Sequence, residues 1–133
     1  MRWGRSVVVG LLVVLAACGG GGDDDGDEAT FCTRLDRLTD NDPFRAFGAT
    51  ATAAEIEQAF TALVERADEL VDVAPPEARG AADDFATSAA AMRDVLAEAG
   101  FDGATVDTRA YRDAQLTYAE ASTRLLRYLD TTC

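Results

Sequence analysis

Two hydrophobic patterns divide this chain. Near the start lies one continuous apolar run, Val7 to Leu15, broken only by Gly10; from Thr30 onward apolar residues recur at helical spacing, and no stretch sustains strand alternation. The recurring pattern predicts four helices. The first covers about Thr30 to Thr39, with Phe31, Leu35 and Leu38 on one face, and Asp40-Asn41-Asp42-Pro43 stops it. Phe44 and Phe47 then plug the core from a short turn before Gly48. The second opens on Thr52-Ala53-Ala54-Glu55, a capping box, and gathers Ile56, Phe60, Leu63, Val64, Ala67, Leu70 and Val71 within an arc of about 120°. Pro75 and Pro76 end it and start the third, which runs to about Ala99. Its seam is Ala78, Ala82, Phe85, Ala89, Met92 and Leu96; Gly100 suits a left-handed cap, with Phe101 as its apolar contact. The fourth runs from about Thr108 to Leu129 behind Asp107 as N-cap, with Tyr111, Ala114, Tyr118, Ala121, Leu125 and Leu129 inward. These elements predict an all-α domain over 29–133, an antiparallel four-helix bundle whose first helix is short or broken.

The leading apolar run has a different meaning. Arg2 and Arg5 precede it and small residues Ala16 and Ala17 follow, which is the layout of an export signal over 1–17. A membrane span is the competing reading. From Ser6 to Cys18 a helix reaches roughly 20 Å, against a hydrocarbon core of about 30 Å, and no basic cluster follows to stop transfer. Arg2 and Arg5 are not adjacent, so a twin-arginine route is not indicated.

Leu15-Ala16-Ala17-Cys18 resembles the lipobox of bacterial lipoproteins, in which the cysteine receives a diacylglyceryl group and becomes the new N-terminus. The resemblance implies Cys18 as the lipidation site. Several acyl chains, each contributing about 0.8 kcal/mol per buried methylene, make such an anchor effectively permanent. The expected location is the extracytoplasmic face of the cell membrane. Residues 19–28, four glycines followed by Asp23-Asp24-Asp25-Gly26-Asp27-Glu28, read with Cys18 as a disordered tether. Ten such residues reach roughly 17 Å. A calcium loop needs spaced ligands and a closing bidentate glutamate, which this run lacks.

Of the three cysteines, lipidation of Cys18 leaves Cys32 and Cys133 as a pair in an oxidising compartment. A structural disulfide follows, closing a loop of about one hundred residues; a redox dithiol is the alternative, without a Cys-x-x-Cys to support it. Topology agrees independently, because an even number of antiparallel helices brings both chain ends to one end of the bundle.

Composition then removes function classes. The formal charge is −12, and losing Arg2 and Arg5 with the signal takes it two units lower. An acidic chain without a basic stripe is a poor nucleic-acid binder. All basic residues are arginine; there is no histidine and no lysine. Histidine acid/base catalysis, Ser-His-Asp triads, lysine Schiff bases and histidine metal sites are therefore excluded. No cofactor, metal site or catalytic residue is assigned, and the chain reads as a non-enzyme.

What remains are surfaces and one possible pocket site. Phe85, Met92, Tyr111 and Tyr118 are placed to line an interhelical ligand pocket, although such residues more often simply pack. Arg109, Arg112, Arg124 and Arg127 share the polar side of the fourth helix with Asp113 and Glu120, a pattern of ordinary surface ion pairs. Leu116 sits among them as the odd apolar residue; joined to a neighbouring apolar patch it marks a contact surface. Asp83 and Asp84 diverge by about 100° on a helix and do not form a dyad there.

As a whole, lipobox, acidic tether and helical domain with a Phe-Cys near its start and a late cysteine, the chain is similar to small lipoproteins common in actinobacteria. That resemblance implies location and fold, and no activity. The leading expectation is a membrane-anchored interaction module for a membrane or envelope partner; the alternative is a small-ligand binder using the pocket above. The sequence assigns no oligomeric state.

Overall fold

The structure, a computed structural model, describes residues 27–40 and 50–133. The export signal, Cys18, the tether up to Gly26 and the Phe44–Phe47 turn lie outside the described residues. Four helices make up the rest: α1 (Glu28–Asp40), α2 (Ala53–Asp72), α3 (Pro76–Glu98) and α4 (Thr108–Thr132). In this all-α bundle α3 packs against α2 on one side and α4 on the other, and α1 closes the ring by touching α2 and α4. The first helix is short but continuous over its 13 residues.

Local chemistry explains each boundary. α1 starts two residues earlier than its apolar pattern indicates, because the Asp27 carboxylate accepts from the Ala29 amide at 3.2 Å and from the Thr30 hydroxyl. Asp27 and Glu28, assigned to the tether by their charge, are thus the cap and first residue of a helix. Those hydrogen bonds, the Thr30 hydroxyl first, lower the Asp27 carboxyl below its ordinary range. At α2 the expected box is present in full. The Thr52 amide donates to Glu55 Oε2 at 2.7 Å, and the Glu55 amide donates to Thr52 Oγ1 at 3.3 Å. Such a cap contributes about 1 kcal/mol.

α3 begins at Pro76 behind Pro75, where a missing amide costs nothing. It ends in a Schellman motif: Phe101 N donates to Leu96 O at 2.7 Å and Gly100 N to Ala97 O at 3.0 Å. Gly100 takes φ 62°, as its lack of a Cβ allows, and Phe101 takes φ 58°. A non-glycine residue there is uncommon; Phe101 is held because its ring packs against the core. Asp107 caps α4 by accepting from the amides of Arg109 and Ala110.

The core is the set of faces the periodicity marks. Phe31 and Leu35 of α1, Phe60, Leu63, Val64, Ala67 and Leu70 of α2, and Ala121 and Leu125 of α4 are buried. So is every seam residue of α3. Alanines make up half of that seam, which lets the neighbouring helices approach closely. Ser88 is the single buried polar residue among those described, and its hydroxyl donates to the Asp84 and Phe85 carbonyls within its own helix. Cys32 and Cys133 form the disulfide, with Cα atoms 5.6 Å apart across a sequence separation of 101. Both chain ends of the bundle are thereby locked together. Beside the bond, Phe31 and Tyr128 meet edge to face at 5.4 Å, and the Tyr128 hydroxyl donates to Glu28 Oε2 at 3.4 Å.

Candidate functional site: the outer face of α4 and the hollows around the bundle

The four residues expected to border a pocket come together along the α3–α4 contact, but with unequal roles. Phe85 and Met92 are core side chains, 2% and 0% exposed. Tyr118 lies against Phe85 with ring centroids 4.8 Å apart and planes tilted by 33°. Tyr111 is partly buried against the same core, and burial raises its phenol above the ordinary tyrosine value. Tyr128 is raised too, by burial first and then by the nearby Glu28 and Glu77 carboxylates. Both phenols are therefore neutral near pH 7, and that of Tyr128 serves as a hydrogen-bond donor.

Three hollows on the described surface are lined by other residues. Between α2 and α3 a groove of about 540 Å³ has Val71, Ala86 and Ala90 along it and Asp68, Asp83 and Asp94 around it. A hollow of about 220 Å³ between α1 and α2 is bordered by Arg34, Arg37, Arg66, Leu38 and Glu69. Arg34 is fixed there, its Nη1 donating to the Glu69 main-chain oxygen at 2.9 Å. Arg34, Arg37 and Arg66 thus meet Glu69 around the rim of the hollow. This grouping was not legible from the sequence, since it depends on the register of α1 against α2. The third hollow, about 400 Å³, lies along the polar side of α2 by Glu57, Thr61 and Glu65.

Adjacent Asp83 and Asp84 part company as helix geometry requires. Asp83 borders the α2–α3 groove, whereas Asp84 accepts an ion pair from Arg124 Nη2 at 2.6 Å across the α3–α4 contact. Both partners of that pair are about half exposed, so it adds at most about 1 kcal/mol. Among the described residues no group of three or more acidic, cysteine or histidine side chains is placed to hold a metal ion, and no helix is long and apolar enough to cross a membrane.

The outer face of α4 carries the clearest departure from an ordinary solvated surface. Leu116 is 60% exposed and Leu126 48%, and they are the exposed large hydrophobic residues among those described. Both belong to one line. Leu116, Ala119, Thr123 and Leu126 follow one another at steps of three, four and three residues, and all four are exposed. That spacing holds them within an arc of about 80° on one side of the helix. Arg112 precedes the line and Asp130 follows it, each exposed, and neither makes an ion pair among the described residues. Leu116 was conspicuous in the sequence as an apolar residue among charges. Leu126 was not, because it adjoins the core residue Leu125 and reads as part of an apolar pair; the three-four-three spacing was the signal that could have found it.

Comparison with known proteins adds no relative: no protein-family model, no curated protein and no solved structure matches the chain.

Proposed function

We propose that this chain is an extracytoplasmic lipoprotein, anchored through Cys18, whose bundle is a non-enzymatic interaction module meeting a membrane or envelope partner through the outer face of α4. The line of exposed side chains from Leu116 to Leu126 is the observation that carries this reading. Two large apolar residues in register on one helix face are costly to leave in water unless something covers them. Three further features support it. The lipobox-like Leu15-Ala16-Ala17-Cys18 supports a lipid at the head of the mature chain. The Cys32–Cys133 bond suits an oxidising compartment. α4 packs on α3 and α1, and its opposite side from Leu116 to Leu126 faces outward.

The test is site-specific photo-crosslinking of the full chain in the membranes of cells that express it. A photoreactive phenylalanine analogue placed at Leu116 is expected to give a defined adduct. That adduct falls away when Cys18→Ser releases the protein from the membrane. Absence of any adduct above background, or equal adducts from a probe at Glu57 on the polar side of α2, overturns the reading.

A further inference from the structure

We infer that the partner covering α4 is a second copy of this chain, docked two-fold and antiparallel along the same helix. The inference rests on the reading of the outer face of α4 as a contact surface and names what it contacts. Its basis is a symmetry in the residues. Leu116 and Leu126, Ala119 and Thr123, and Arg112 and Asp130 are each placed equally far from position 121. When two copies of α4 run antiparallel about that point, Leu116 of each meets Leu126 of the other. Ala119 then meets Thr123, and Arg112 meets Asp130.

One stripe is thus complementary to itself in both shape and charge, as an isologous two-fold contact demands. The three-four-three spacing is that of a helix–helix seam, with large side chains opposed at its ends and small ones at its centre. At the flank, Asp113 and the other copy's Arg127 lie on the same side of the seam, two residues out of exact register, again with opposite signs. A parallel pairing places Arg112 against Arg112 and Asp130 against Asp130, and like charges in contact oppose it. One flank contact is unfavourable in the antiparallel arrangement as well. Glu120 lies beside the two-fold axis and meets its own counterpart.

The seam is short, so its affinity in free solution is modest. Confinement of two anchored copies to one bilayer raises their effective concentration. The geometry allows it. α4 has 25 residues, about 37 Å of helix, so the tethered poles of the two copies lie at opposite ends of the pair. Both tethers then reach the same bilayer when the two-fold axis stands along the membrane normal.

Charge reversal in the full chain in membranes tests this, with the photoreactive analogue at Thr123 and products sized and sequenced. Lysine is absent, so amine-directed reagents are of no use, and the photoreactive probe reports the pairing directly. The native stripe is expected to give a product of twice the chain mass, joined between Thr123 and the neighbourhood of Ala119. Arg112→Asp alone and Asp130→Arg alone each lower its yield about tenfold by setting like charges against each other. Together they restore it to within about twofold, a rescue that only the antiparallel pairing gives. Glu120→Gln raises the yield. All these positions are exposed, and helicity with an intact disulfide confirms folding of each variant. A Thr123 adduct with a different protein, or failure of the double reversal to restore the product, overturns the second-copy inference while leaving α4 a contact surface. Absence of every adduct overturns both.

Discussion

Replacing Cys32 and Cys133 together by serine is expected to lower the melting temperature by on the order of 10–30 °C. The bond closes a loop of 101 residues. In the chain-entropy account such a loop is worth up to about 4.7 kcal/mol, and removing a native disulfide from a small domain commonly costs about 2–5 kcal/mol. The loss is expected to be unevenly spread. α1 offers the core only Phe31 and Leu35 as fully buried side chains, with Leu38 beside them. It also packs less extensively than the α2–α3–α4 layer. Without the bond it opens first. Hydrogen exchange across 28–40 should therefore accelerate toward unprotected rates while 78–96 keeps most of its protection. Thermal melts and exchange of native and doubly substituted chains measure this. Equal melting temperatures, or a uniform loss of protection across all four helices, contradict the view of α1 as a covalently held strap.

Phe85→Ala is expected to cost about 3–5 kcal/mol, the range for emptying a buried aromatic site. Phe85 is 2% exposed, belongs to the core cluster and stacks against Tyr118. Part of the cost is the ring pair itself, about 0.5–1.5 kcal/mol beyond the area buried. Denaturant melts of Phe85→Ala, Tyr118→Ala and the double variant separate the two contributions. A loss below about 1 kcal/mol for Phe85→Ala means that the side chain borders open space rather than packing, and restores these residues as a ligand site.

Much of the fold was legible because local and tertiary preferences agree. Thr52 with Glu55, Pro76, Gly100 and Asp107 are terminus signals whose mechanism is local, and each stands where its chemistry indicates. The inner faces of α2 and α3 follow a 3.6-residue period, and burial follows them. Errors lie at the ends, where periodicity is silent. Asp27 and Glu28 sit in an acidic run whose charge hides a cap. α4 continues past Leu129 to Thr132 although its apolar pattern has stopped. The extra turn is held by the bond at Cys133 and by Thr131, whose hydroxyl donates to the Arg127 carbonyl at 2.8 Å. The candidate contact face was harder to see for a physical reason. A contact surface on a helix differs from a solvated one by two or three side chains. Leu126 becomes visible as one of them only once the direction of the core is known. The arginine hollow between α1 and α2 needed still more, the register of two helices separated by residues 41–52.

The central claim is an exported, lipid-anchored, disulfide-closed bundle, and intact-mass spectrometry of the protein extracted from the membranes of a bacterium that exports it tests that claim most directly. The account predicts a chain beginning at Cys18, heavier by a diacylglyceryl group with or without a further acyl chain such as palmitate. It also predicts a mass two hydrogens below that of the reduced polypeptide, from the Cys32–Cys133 bond. A chain retaining Met1, or one cut elsewhere without lipid and carrying two free thiols, contradicts it.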